Sequence, residues 1–473
     1  MKFVLLVALF GLCASSPLGD LEKEYVKEGM DLTELHSDLE ELSSEVEEEF
    51  AGNNDEIAQL RANFEKLNSG NQTLLPVPDI NELNSETAAE LFEGDLLLTR
   101  EQWAIAKDLD PSQKLVRRQA LSAATQLWSP MSAPVIYYAF APGFPAKTRQ
   151  IAEEGMRFWE ARTCATFQPA RAGEQAYIYF QNTQSGCFSM VGRSGTRQPI
   201  NLASGCEYLT IAAHEISHAF GTLHVQSRSD RDNYVQIDTS NIQRGTEHNF
   251  ARDPQGYGQL SNYGIPYEFG SMQHYEQFSF AVNRNRPTIY AKQAYSKYQF
   301  SMESPRATFY DVLLLNKIYK CTDRCRTRIT CYNGGVQDGR DCNKCYCPRG
   351  WAGTNCQSRP AGSQTVSVTQ SGQKLRVALD GAYRGFEEKL YVLQAPAGRR
   401  IQLHINSFGD YQTYRCMFFG MEITFAKDTR MTGFKFCSNP MVNDITSEGQ
   451  TMLVYIYRDQ NMRVWSDLTL NLV

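Results

Sequence analysis

The placement of its cysteines constrains this 473-residue chain more than any other feature. Of thirteen, Cys13 sits in an apolar N-terminal run, and the other twelve all lie beyond position 160. An even set of that size, in an oxidising compartment, reads as six disulfides. Six of the twelve crowd between Cys325 and Cys356, and a unit so short cannot bury a core, so disulfides must hold it together. The N-terminus supplies the compartment. Lys2 precedes the apolar run Phe3 to Leu12, which ends in the small residues Ala14, Ser15 and Ser16, the pattern of a secretory signal peptide over residues 1–15. The run is shorter than the roughly 20 apolar residues that span a bilayer, and no later stretch is long and apolar enough to do so. The chain is therefore expected to be secreted, with no membrane span. In an intracellular protein the same cysteines would suggest metal thiolates, which the leader argues against.

Length and composition set the rest of the frame. A chain this long predicts two to four folded units. The net charge of −6 and the lack of a basic cluster argue against nucleic acid. From Asp20 to about Asn68 the sequence is acidic, and Leu32, Leu35, Leu39 and Leu42 recur at helical spacing. A loop-like stretch to Pro78 carries one glycosylation sequon, at Asn71. Further on, the dibasic pair Arg117-Arg118 precedes Gln119, where the cysteine-bearing, aromatic-rich sequence begins. Cutting after Arg118 by an activating protease would make Gln119 the new N-terminus. Between Trp128 and Cys321, strand-like runs (Val135 to Phe140, Ala176 to Phe180) mix with helical ones (Arg149 to Thr163, Leu209 to Phe220), which predicts an α+β domain. After the cysteine-dense unit, β-branched alternations such as Thr365 to Val368, Leu390 to Leu393, Ile401 to Ile405 and Met452 to Tyr457 predict a β-sandwich, with Cys416 and Cys437 available as a pair.

The segment that carries chemistry runs from His214 to His224. His214 and His218 stand four apart on an expected helix, so both imidazoles project from one face toward one ion. Glu215 lies beside His214, placed to take a proton from water. Gly221 lets the helix stop and the chain turn, bringing His224 round as a third ligand. Three neutral imidazoles leave the full charge on Zn²⁺ and a coordination position open, the arrangement of a catalytic site. The bland alternative is core or surface histidines meeting by accident. Three of only seven histidines falling in this one window argue against it.

The pattern belongs to the metzincin metalloproteases, and Tyr267-Glu-Phe-Gly-Ser271-Met272-Gln273-His274-Tyr275 resembles the Met-turn of the astacin family. The resemblance implies a mixed sheet with an active-site helix, hydrolysis of peptide bonds in protein substrates, and Tyr275 as a second catalytic residue that stabilises the tetrahedral intermediate. Cys187 to Arg193 resembles the edge strand that pairs with substrate, Ser227 to Asp232 the stretch after the third histidine, and Asp311 to Cys321 the closing helix. It further implies the pairs Cys164–Cys321 and Cys187–Cys206. The cysteine-dense unit is similar to an EGF-like module, implying Cys325–Cys342, Cys331–Cys345 and Cys347–Cys356, and the sandwich looks like a CUB domain, an order met among nematode astacins. Leu91-Phe-Glu-Gly-Asp95 resembles the family's zymogen switch, in which Asp95 would coordinate zinc in place of water. The implied organisation is a propeptide over 16–118, a peptidase domain over 119–321, an EGF-like module over 322–357 and a CUB-like domain over 358–473.

Two positions depart from the family pattern. Val225 stands where a glutamate usually meets the N-terminal ammonium of the activated enzyme, and an N-terminal Gln119 that cyclised would present a neutral end to it. Gln273 stands where a methionine usually lies beneath the zinc ligands, and a buried amide there needs hydrogen-bond partners. These departures keep a rival reading open, that of a catalytically weakened or inactive homologue acting as an extracellular binding protein through its EGF-like and CUB-like modules.

Overall fold

The computed structural model describes residues 23–26, 30–50, 54–67, 80–100, 102–103, 126–252, 262–304, 306–409, 416, 418–437 and 443–473. The leader, the sequon at Asn71 and the Arg118–Gln119 cleavage site lie outside them.

The acidic N-terminal segment forms two helices, α1 (Leu32–Phe50) and α2 (Asn54–Leu67), then a short turn of helix, α3 (Ile80–Leu83), and a two-residue strand, β1 (Leu96–Leu97). The leucine spacing foretold α1, whose Leu35, Leu39, Val46 and Phe50 are buried. Its apolar face lies on the next domain rather than on α2.

That domain holds β2 (Val135–Phe140), α4 (Ala146–Glu160), β3 (Thr166–Pro169), β4 (Tyr177–Gln181), β5 (Cys187–Met190), β6 (Arg197–Leu202) and α5 (Leu209–Ala219). One six-stranded sheet runs β1-β5-β6-β4-β2-β3. β5 is antiparallel to β6, while β1 lies parallel to the outer edge of β5. The N-terminal segment thus covers the edge that would otherwise be free. Helix α4 begins three residues earlier than the sequence suggests, with Pro145 in an extended conformation at the N-cap position, where its missing N–H costs the helix no bond. It ends at Glu160 rather than Thr163, where Thr163 bonds back to the Trp159 carbonyl and the chain turns into Cys164. The Trp159 indole donates to the Ala213 carbonyl at 2.8 Å, fastening α4 to α5.

Beyond α5 regular structure thins. β7 (Val235–Ile237) and β8 (Ile289–Ala291) form a two-stranded ribbon, and α6 (Phe309–Ile318) closes the domain. The α6 N-terminus carries a capping box between Thr308 and Asp311. Cys164 bonds Cys321 and Cys187 bonds Cys206. The first bridge closes a 157-residue span, the kind of loop whose closure most restricts the unfolded chain.

In the cysteine-dense unit the bridges are Cys325–Cys342, Cys331–Cys345 and Cys347–Cys356, around the hairpin β9 (Val336–Gln337) and β10 (Cys345–Tyr346). The C-terminal region packs two sheets face to face. One runs β11 (Gln364–Ser367), β13 (Glu387–Gln394), β18 (Thr451–Arg458), β15 (Phe419–Thr424) and β16 (Phe434–Phe436). The other runs β12 (Gln373–Leu379), β19 (Val464–Leu472), β14 (Ile401–Phe408) and β17 (Asp444–Thr446). Their inner faces share one core that includes Val377, Leu403, Ile423, Val454 and Leu468, and Cys416 bonds Cys437 at its rim. Arg349 of the cysteine-dense unit pairs with Glu388 and Glu422 of the sandwich. Glu268 of the preceding domain accepts from the Thr432 amide at 3.1 Å.

Candidate metal centre

Helix α5 presents His214 and His218 from one face, both buried. After Phe220 the chain turns at Gly221, whose φ of +102° a side chain would resist, and His224 comes back alongside. Ligand atoms of His214, His218, His224 and Asp95 all lie within 4.8 Å of one another. The turn from Ser271 to Tyr275 passes beneath this group.

Hydrogen bonds fix which ring nitrogens face inward. His214 Nδ1 lies 2.7 Å from the Met272 carbonyl, and His218 Nδ1 lies 2.9 Å from the Thr222 carbonyl. A carbonyl only accepts, so each Nδ1 carries the proton and each Nε2 is a bare acceptor in the neutral ring. Yet the two Nε2 atoms stand 3.0 Å apart, with Asp95 oxygens 3.1 Å from that of His214 and 3.6 Å from that of His218. His224 completes the set, with Nε2 3.3 Å from Asp95 and Nδ1 2.9 Å from Glu93. Lone pairs converging on a carboxylate in a dry pocket repel unless a cation lies among them. Neutral imidazoles and a carboxylate are competent zinc ligands, so the donor set fits Zn²⁺.

The electrostatics point the same way. Burial alone would raise the Asp95 carboxyl, but positive charge carried by the facing groups, His224 before His218, holds it well below the usual carboxylate range, so the carboxylate calls for a cation beside it. Glu215 is fully buried, and neither of its oxygens has a hydrogen-bond partner among the described residues. That burial, and then the Asp95 charge, push it well above the usual range. A carboxylate kept at this cost of desolvation, beside a metal-ready cluster, is placed to move protons.

The segment bearing Asp95 sits over the cluster. Glu93 and Gly94 both have positive φ, 47° and 73°. A Cβ on Gly94 would fall 2.8 Å from the Phe280 ring and 3.1 Å from the Tyr275 hydroxyl, so only glycine fits. The Tyr275 hydroxyl donates to the Glu93 carbonyl at 2.5 Å, and the Tyr275 ring lies 4.8 Å from that of His224. Two side chains that sequence reasoning missed hold this segment. Asn84 spans from the Gly94 carbonyl to both backbone groups of Cys187 on β5, and Asn249 accepts from the Gly94 amide. A lone asparagine gives no such signal in a sequence. Asp311 was also missed as a site residue. Its carboxylate caps α6, accepts from the Met272 amide and bonds the Ser271 hydroxyl, and the Thr308-x-x-Asp311 spacing could have revealed the first role.

The two departures acquire partners. Gln273 donates through Nε2 to the Ser217 hydroxyl at 2.6 Å and the His214 carbonyl at 3.1 Å, binding the turn to α5 from below. Its Oε1 has no hydrogen-bond partner among the described residues. Val225 is buried in an apolar cluster with Val46 and Phe50 of α1, and its amide donates to the Gln273 carbonyl.

The sequence profile of the Astacin peptidase family matches residues 120–320. Zinc metalloproteinase nas-23 of Caenorhabditis elegans is 32% identical over 388 residues, covering 79% of this chain and 70% of that protein. Zinc metalloproteinase nas-28 of the same organism is 34% identical over 63% of this chain and 59% of its own length. Among solved structures, High choriolytic enzyme 1, a hatching enzyme zinc-protease from the medaka Oryzias latipes, is 26% identical with a TM-score of 0.37, over 44% of this chain and 98% of that one. With its three-histidine helix-and-turn site and a nas-23 match that spans most of both sequences, this chain belongs to the astacin family of zinc metalloproteases.

Proposed function

We propose that this protein is a secreted endopeptidase made as a zymogen, with Asp95 holding the metal site closed until the chain is cut after Arg118. The observation that carries the reading is the meeting of three inward-facing Nε2 atoms and the Asp95 carboxylate in one buried pocket. His214, His218 and His224 would hold zinc, which when bound supplies a Lewis acid for the scissile carbonyl. Glu215 takes the proton of the attacking water and delivers it to the leaving amine. The Tyr275 hydroxyl, now held by the Glu93 carbonyl, is a neutral donor for the developing oxyanion once that carbonyl withdraws. The edge of β5, which β1 now occupies in parallel, is the strand on which an extended substrate would add.

The proposed boundaries are a propeptide to Arg118, a peptidase domain over 119–321, an EGF-like module over 322–357 and a CUB-like domain over 358–473, with protein substrates outside the cell. The decisive comparison is cleavage of casein by the processed full chain against its Glu215→Ala counterpart, with and without chelator. Loss of a base of this kind lowers the rate by roughly 10²–10⁴-fold. Equal cleavage by the two proteins, or cleavage indifferent to chelator, would sink the enzyme reading in favour of a binding protein.

A further inference from the structure

Helix α2 lies some thirty residues upstream of the Asp95 latch, yet it makes specific side-chain contacts of its own with the domain that follows. Arg61 forks onto Asp238, Nε to one oxygen at 2.8 Å and Nη2 to the other at 2.6 Å, and Nη2 also donates to the Ser240 hydroxyl at 2.6 Å. Asp238 follows β7 and is fully buried. A second cation, Arg286, stands 3.6 Å from the same carboxylate. One helical turn on, Phe64 enters a box of rings. Phe278 and Tyr290 meet it edge-on at 6.0 and 6.1 Å, and Phe300 stacks on it at 5.9 Å. Ile57 and Leu60 complete the buried face of α2.

None of this closes the metal site, which Asp95 and β1 already cover. Its receptor, however, belongs wholly to the domain that carries the zinc ligands. Phe278 sits three residues beyond Tyr275, on the strap whose Phe280 ring lies 5.7 Å from the tyrosine ring. With α2 gone, that domain would present a carboxylate at the bottom of a depression beside a contiguous aromatic patch. A bidentate carboxylate selects arginine over lysine, and an uncovered aromatic patch rimmed by polar groups marks a binding surface.

We propose that the groove of Asp238, Ser240, Phe278, Tyr290 and Phe300 is a substrate exosite of the processed enzyme. It would take protein segments that carry an arginine and, one helical turn further on, an aromatic residue, the chemistry α2 now supplies from within the chain. The proposal rests on the zymogen reading for its timing, since processing is what clears the groove.

Two measurements test it. A fluorescent peptide copying residues 54–67 is titrated against the unprocessed full chain carrying Arg61→Ala and Phe64→Ala, which removes the two side chains that fill the groove and loosens α2 without any cleavage. It binds at least about tenfold more tightly than to the unsubstituted chain, whose groove is filled. Asp238→Asn in the chain weakens binding by a similar factor, and so does Arg61→Ala or Phe64→Ala in the peptide, where no folding of the protein is at stake. Second, the processed enzyme is given two fluorogenic substrates with the same scissile sequence, one extended through a flexible linker by residues 54–67. The extended substrate shows a kcat/KM about tenfold higher, through KM, and Arg61→Ala with Phe64→Ala in the extension returns it to the shorter one's value. Equal kcat/KM for the two, or peptide binding indifferent to Asp238 and Phe64, overturns the exosite. Failure to cut either substrate while the peptide still binds overturns the peptidase reading instead and leaves the groove as a binding site.

Discussion

The floor and the roof of the metal pocket are built on different principles. The floor comes from one stretch of chain, His214 to Tyr275, and is held by short bonds among its own parts: His214 to Met272, His218 to Thr222, Gln273 to Ser217. The roof is Glu93-Gly94-Asp95, more than a hundred residues upstream, with two of its three residues at positive φ. It is held by Asn84, Asn249 and the pairing of β1 with β5. A floor bonded to itself survives a change of partner. A roof in an uncommon backbone conformation persists only where its surroundings over-determine it. That asymmetry suits a site that is assembled early and uncovered late.

The largest effect should follow from breaking the roof alone. Asp95→Ala removes the carboxylate that meets all three rings while β1 still lies along β5. The unprocessed chain should then cleave short peptides at least about tenfold faster than the unprocessed parent, the equivalent of about 1.4 kcal/mol of lost closure. It should remain below the processed enzyme, because the strand still occupies the edge. Gly94→Ala should act in the same direction, since its new methyl would meet Phe280 and Tyr275. If both unprocessed variants stay as silent as the parent, the silence comes from the strand and helices rather than from Asp95.

Breaking the floor should read out as metal affinity rather than as activation. Gln273→Ala removes two bonds between the turn and α5 and leaves a void under His214. Groups that orient ligands from outside typically change metal affinity by 10–100-fold, so a loss of about tenfold is expected, measured by competition with a chromogenic chelator. Gln273→Met should lose less, because the thioether refills the volume and removes a carbonyl that has no partner among the described residues. Equal affinity in all three proteins would mean that the amide only fills space.

What could be read from the sequence divides along the same line. The helix-borne part of the floor was legible because its residues are close in sequence and their types are dictated by chemistry: an i, i+4 histidine pair on a helix face and a glycine where the helix must turn, whereas Tyr275 was visible through resemblance alone. The β-sandwich was legible through alternation, and α1 through its leucine spacing. Asp95 was visible only through resemblance, and its supports were not visible at all. Asn84 and Asn249 act by reaching backbone groups brought near by folding, with no periodicity to betray them. The docking of Arg61 and Phe64 was equally hidden, since an arginine and a phenylalanine on an acidic helix look like an ordinary solvated face until the partner surface is known.

The smallest expected effect concerns how the floor is fastened to the rest of the molecule. Glu268, on the approach to the Ser271 turn, is buried and accepts from the Gly270 amide and from the Thr432 amide of the sandwich. Burial pushes its carboxyl up to about 7, the backbone bonds offsetting only part of the effect. Below about pH 4.5 the folded and unfolded chains both hold the proton, and the group is neutral to stability. Between about 4.5 and 7 the unfolded chain releases it while the folded chain keeps it, so the folded state binds more protons and stability falls as pH rises. Above about 7 the penalty is complete. A scan of melting temperature against pH should therefore show the parent declining through this window relative to Glu268→Gln, whose amide does not titrate, with the two curves separated by a constant amount above it. Since Thr432 is the partner across the junction, the decline should appear in the transition that separates the sandwich from the peptidase domain. Parallel curves from pH 4 to 8 would mean that Glu268 keeps its charge in the fold and that the junction is held by the ionised carboxylate.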